Sequence, residues 1–158
     1  MSQSTAVPVP QSNSGRSVLA ALPLGLALGI GAMVIGAALW GVIAYFTDTV
    51  YFIIPVGVGF AVASALLLPF KRANFGLALV MLVPCVALTV ISALLGDYIY
   101  YTLVYAREAS VAIPESASLV AKNFVAIATD SPDTVKSVGL AAIGALLGLF
   151  NAVRAAKS

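Results

Sequence analysis

Thirty consecutive positions from Ser17 to Phe46 carry no charged side chain. A helix rises 1.5 Å per residue and the hydrocarbon layer of a bilayer is about 30 Å thick, so roughly 20 mainly apolar residues suffice to cross it. The run exceeds that length, which leaves it free to tilt or to project beyond the bilayer. Three more stretches meet the same criterion: Val50 to Phe70, Asn74 to Gly96 and Pro132 to Val153. Of the 158 residues, 61% are hydrophobic and 9% charged, against roughly 45–50% and about 25% in soluble domains. A soluble fold is excluded, and the chain reads as an all-α integral membrane four-helix bundle.

The leader MSQSTAVPVPQSNSGR, residues 1–16, is rich in Ser, Gln and Pro and reads as a disordered cytoplasmic segment. The apolar run behind it is far longer than the roughly 7–15 residues of a signal-peptide core, so the first helix is expected to stay in the mature chain. Residues 17–46 form the first span, 50–70 the second and 74–96 the third, with a continuation to 105 left open. Residues 97–131 form a long outward connection, 132–153 the fourth span and 154–158 a cytoplasmic tail. Ser131 suits an N-cap, with Pro132 at the first helical position and Asp133 in the first turn.

Charge placement orients the spans. Arg16, Lys71, Arg72, Arg154 and Lys157 fall on one side and Arg107, Lys122 and Lys136 on the other, a split of 5 to 3 in which the short Lys71-Arg72 connection weighs most. Both termini are therefore expected in the cytoplasm, with the protein in the cytoplasmic (inner) membrane. All six acidic residues, Asp48, Asp97, Glu108, Glu115, Asp130 and Asp133, fall on the outer side, which is net negative.

A short turn around Thr47, Asp48 and Thr49 makes the first two spans an antiparallel hairpin. The long outward connection calls for structure of its own. From residue 115 to 129 the apolar positions Leu119, Val120, Phe124, Ile127 and Ala128 follow helical spacing, with Glu115, Ser118, Lys122 and Asn123 on the other side. This amphipathic helix either lies in the interfacial plane, the favoured reading, or caps the bundle. Ahead of it, Asp97, Tyr98, Tyr101, Tyr105 and Arg107 offer an outer-surface binding wall, although tyrosines at a membrane edge more commonly form an aromatic belt.

Spans in lipid associate through close packing at small residues and through a few hydrogen bonds. Gly25, Gly29, Gly36 and Gly41 on the first helix, Gly57 and Ala61 on the second, and Gly144 and Gly148 on the fourth form smooth strips. Most should serve packing within the chain, and the remainder would support a homo-oligomer or docking in a larger membrane complex. Pro84, near the middle of the third span beside Cys85, predicts a bend there.

One cysteine and no histidine exclude a disulfide framework, a Cys/His zinc site and imidazole-dependent catalysis. No cofactor is called for, and no basic cluster suits nucleic acid. No Asp, Glu, Lys or Arg falls near the middle of any of the four stretches, Asp133 and Lys136 lying in the first turns of the fourth, and this argues against an ion carrier. Ser64, Thr89 and Ser92 read as structural hydroxyls.

The runs GAALWGVIAYFTDTVYFIIPVGVGFAVA and LLGDYIYYTLVYAR, with the Ser-Pro-Asp start of the fourth span, resemble uncharacterised small bacterial multi-pass membrane proteins. The resemblance implies a bacterial cytoplasmic-membrane protein of four spans. Some members carry a Cys-rich zinc ribbon ahead of the membrane part, whose cysteines this chain lacks, so no metal site carries over. The sequence as a whole points to a non-enzymatic accessory or scaffolding subunit. The alternative is an oligomeric small-solute channel or transporter.

Overall fold

Backbone groups surrounded by hydrocarbon must pair within the chain, so long apolar runs have little choice but helix. The structure, a computed structural model, describes residues 14–48, 53–70 and 75–155, with side chains from residue 19 onward. It is all-α, with five helices: α1 (Ser14–Thr47), α2 (Ile53–Leu67), α3 (Phe75–Ala109), α4 (Ile113–Asp130) and α5 (Pro132–Ala155). Three of them, α1, α3 and α5, contain stretches long and apolar enough to cross a membrane, whereas α2 is a shorter apolar helix of 15 residues. Large apolar side chains cover the outside of these helices, among them Val83 at 74% and Phe150 at 69% exposure. A surface of that kind belongs in lipid.

Residue pairings give the helix directions. Gly29 faces Leu88 and Ser92 donates a hydrogen bond to the Met33 carbonyl, so α1 and α3 run the same way. Gly25 meets Leu66 while Gly36 meets Val58, so α2 runs against α1. Gly59 lies against Ala145 and Gly148 against Ala63, so α5 runs with α2. The core gathers where all four meet, around Leu66, Met81, Cys85, Ala145 and Leu149.

Several expected boundaries differ. The first helix starts at Ser14, inside the segment read as a disordered leader; residues 1–13 lie outside the described residues. So do Lys71 and Arg72, residues 49–52 of the first hairpin, and the tail 156–158. The third helix runs unbroken through Pro84 and on to Ala109, 13 residues past the expected end of its span at Gly96. The long outward connection is therefore mostly helix. A polar side chain does not interrupt the backbone ladder, and 97–109 contain neither Pro nor Gly to do so. The helix stops where Ser110 takes a left-handed φ of 54° and the Val111 N–H reaches the Ala106 carbonyl at 3.2 Å, a Schellman-type end without glycine.

The α5 start follows its sequence signal: Ser131 Oγ accepts from the Thr134 N–H at 3.4 Å, with Pro132 next to it as the first helical residue. Pro55 falls in the first turn of α2, where its missing N–H has no helical partner to lose.

Glycine spacing becomes backbone contact between α2 and α5. A Cβ on Gly144 would collide with the Val56 carbonyl, and one on Gly59 with the Ala141 carbonyl. Gly57 and Gly139, on other faces of the same helices, have open space around them. Gly144→Leu should therefore destabilise the protein by roughly 1–3 kcal/mol or more through overpacking. Gly139→Leu should change it little. Thermal unfolding of both variants in detergent, followed by circular dichroism, checks the difference.

Candidate functional site

Of the eight small residues read as packing sites, Gly25, Gly29, Gly36, Gly41, Gly144 and Gly148 all face neighbouring helices of the same chain. A Cβ at Gly25 would stand 2.6 Å from the Leu66 carbonyl, and one at Gly41 2.6 Å from the Gly96 carbonyl. Gly57 and Ala61 remain, both exposed. With Ala32, Gly36, Leu39 and Val58 they line an apolar groove of about 430 Å³ between α1 and α2. A second apolar groove, of about 360 Å³, opens between the start of α3 and the end of α5, where Phe75, Leu79, Leu82, Leu146 and Phe150 line it.

The residues of the expected outer wall divide, with Tyr98 and Tyr101 half-buried and Tyr105 and Arg107 exposed. Tyr98 turns onto α4, donating its hydroxyl to the Ala117 carbonyl at 3.0 Å and setting its ring edge-on to Phe124 at 5.5 Å. Tyr101 donates to Ser131 Oγ at 3.1 Å, at the joint of α4 and α5. Tyr105 is exposed. Arg107 pairs with Asp48 at 3.1 Å, joining the ends of α3 and α1, and its guanidinium lies 5.1 Å from the centre of the Tyr45 ring. Both partners of that ion pair are exposed, so it contributes little to stability.

Asp97 is the larger correction: its residue exposure is 6%, and it faces the bundle interior rather than the outer surface. The single tryptophan, Trp40 of α1, donates its indole N–H to Asp97 Oδ1 at 3.1 Å. Across from it, Thr134 near the start of α5 points its hydroxyl toward the same carboxylate without completing a hydrogen bond. Asp97 Oδ2, Thr134 Oγ1 and the nearby Ser137 Oγ on the same face of α5 are all buried and unpartnered. Gly96 makes the arrangement possible, because the indole of Trp40 occupies the space where a Cβ would stand. An ionisable group thus does lie inside the bundle, and the helix-end reading of Asp97 concealed it. A carboxylate beside hydroxyls can accept and relay hydrogen bonds. Among the described residues no group of three His, Cys, Asp or Glu is placed to hold a metal.

One level further out, Ser116 of α4 donates to the Thr102 carbonyl at 2.6 Å. Trp40, Thr102, Ser116, Thr134 and Ser137 were not singled out from sequence. The i, i+3 pair Thr134 and Ser137 on an otherwise apolar face was a readable signal, whereas the partnership of Trp40 with Asp97, 57 positions apart, was not.

Comparison of the chain with protein-family models, with curated proteins and with solved structures finds no match in any of the three. Function has to be argued from the chain's own geometry.

Trp40→Phe strands a buried carboxylate oxygen, and it should lower stability by about 1–3 kcal/mol. Asp97→Asn, which keeps an acceptor for the indole, should cost less. Unfolding in detergent orders the two variants, and emission from the single tryptophan should shift in Asp97→Ala while the helix content is retained.

Proposed function

We propose that this chain is a non-enzymatic, four-span protein of the cytoplasmic membrane that serves as an accessory or scaffolding subunit of a larger membrane complex. The single observation carrying the reading is the α1–α2 groove. Six of the eight small residues are consumed by packing within the chain, while Gly57 and Ala61 border a smooth apolar channel on the outside of the bundle. A helix from a partner, presenting small residues of its own, can approach closely there.

The second span in this reading is the apolar stretch Val50 to Phe70 of the sequence, within which α2 is the described helix. Alternating helix directions support it, since α2 returns the chain between the parallel α1 and α3. Cytoplasmic termini follow from the basic residues of the sequence, five against three with the short Lys71-Arg72 connection weighing most, Arg154 standing at the end of the bundle opposite Arg107 and Lys136. Use of most small residues inside one protomer leaves fewer for an oligomeric pore, which weighs against the channel reading.

Purification from native membranes in mild detergent, followed by mass determination of the intact particle, tests the proposal. The expected result is a heterogeneous particle that loses its partner in Gly57→Leu and Ala61→Leu, while both variants retain the fold of the isolated chain. Gly144→Leu and Gly148→Leu should instead damage the fold itself. A closed ring of this chain alone, conducting in liposomes, would overturn the subunit reading.

A further inference from the structure

α4 is 18 residues, or about 27 Å long, yet both its ends are fastened to a single turn of α3. Ser116 near its start bonds Thr102, and Ser131 just after its end bonds Tyr101. A helix held in that way crosses α3 instead of running along it. Its depth follows from the rise of α3: Tyr98 stands about 34 Å and Thr102 about 40 Å from Phe75. If the helix starts at the inner boundary of a hydrocarbon layer about 30 Å thick, those positions fall in the outer headgroup layer.

The orientation of α4 about its own axis follows from three contacts. Ser116, with Val120, faces α3, and its hydroxyl meets the outer level at Thr102. A quarter turn round the helix, Ala117 and Phe124 meet Tyr98, one turn of α3 closer to the membrane. Continuing in the same sense, the next quarter carries Ala121 and Val125, apolar, exposed and facing the bilayer side; Val125 is 77% exposed. Ser118 and Thr129 border Val125 on its far side, and Lys122 and Glu115 lie beyond them, turned away from the membrane. The apolar arc of α4 is thus wider than the arc α3 covers, and the uncovered part continues the lipid-facing surface of the spans below.

We infer that the Ala121–Val125 flank of α4 docks into the headgroup–acyl boundary of the outer leaflet, making α4 an interfacial helix attached to the bundle. The occupant of that flank is phospholipid, and with Glu115, Lys122 and Asp130 on the helix no anionic headgroup is required. The inference rests on the membrane-spanning reading of α3, and one control separates the two.

In a Cys85→Ala background, Val125→Cys, Lys122→Cys and Val83→Cys are each labelled with an environment-sensitive fluorophore and reconstituted in phosphatidylcholine vesicles. Quenching is then measured with shallow and deep spin-labelled phosphatidylcholine and with aqueous iodide. The expected result is deep quenching at 83, shallow quenching about threefold stronger at 125 than at 122, and iodide quenching in the opposite order. Lipid quenching at 83 with equal iodide access at 122 and 125 would overturn the interfacial inference alone. Absence of lipid quenching at 83 would overturn the spanning reading, and this inference with it.

Discussion

Gly59 and Gly144 let α2 and α5 come together until the backbone of each lies against a carbonyl of the other, at Ala141 and Val56. Between apolar helices in lipid, burial of apolar surface supplies no drive, because the alternative neighbour is equally apolar. Close approach supplies dispersion and weak Cα–H···O contacts instead. α2 is the shortest of the apolar helices, so it depends most on such approach. With α2 held on α5, its other side receives Gly25, Gly29 and Gly36 of α1, and α1 in turn takes the Ser92 hydrogen bond from α3. A side chain at 59 or 144 would open the whole sequence of contacts from its centre.

The features legible in sequence are those governed by local physics. Uncharged length marked where α1, α3 and α5 lie; Ser131-Pro132-Asp133 marked the start of α5; and apolar spacing placed an amphipathic helix over 115–129, which the structure extends to Ile113–Asp130. Four-residue spacing of glycines marked packing faces, but spacing cannot say which helix arrives at a face or which faces stay open. Gly57 and Gly144 look alike in sequence, yet one has open space and the other a carbonyl against it. That difference is decided by the register between helices distant in the chain.

The long outward segment was legible only in part, for a related reason. Asp97 ends an uncharged stretch, and hydropathy treats the first charge as the surface. A helix is indifferent to that boundary as long as its residues sustain the ladder, and here Tyr98 to Ala109 do. Tyr98 and Tyr101, which suggested an aromatic belt or a binding wall, spend their hydroxyls on Ala117 and Ser131. They fasten α4 where it crosses α3. Their amphipathic character is used inside the protein, with ring on Phe124 and hydroxyl on backbone.

A single carboxylate among helices needs compensation, and the described ion pairs, Arg107–Asp48 and Lys136–Asp133, both lie on the surface, with Asp133 of the second adding a like charge near it. Two neutral sources stand beside Asp97. Trp40 contributes a directed N–H. The first turn of α5, which brings Thr134 to the carboxylate, carries the partial positive charge of a helix N-terminus. Both depend on where the helices end: α5 begins at Pro132 because proline follows a capping serine there, and α1 reaches Trp40 in register because Gly96 makes room for the indole. Pro132 lies about 34 Å along α5 from Ala155, and Tyr98 about the same distance along α3 from Phe75. Asp97 therefore lies at the level where a bilayer crossed by both helices would pass from hydrocarbon to headgroup. A charge that would be costly at the midplane is tolerated at that depth, and the capped start of α5 is what brings the compensating dipole to it.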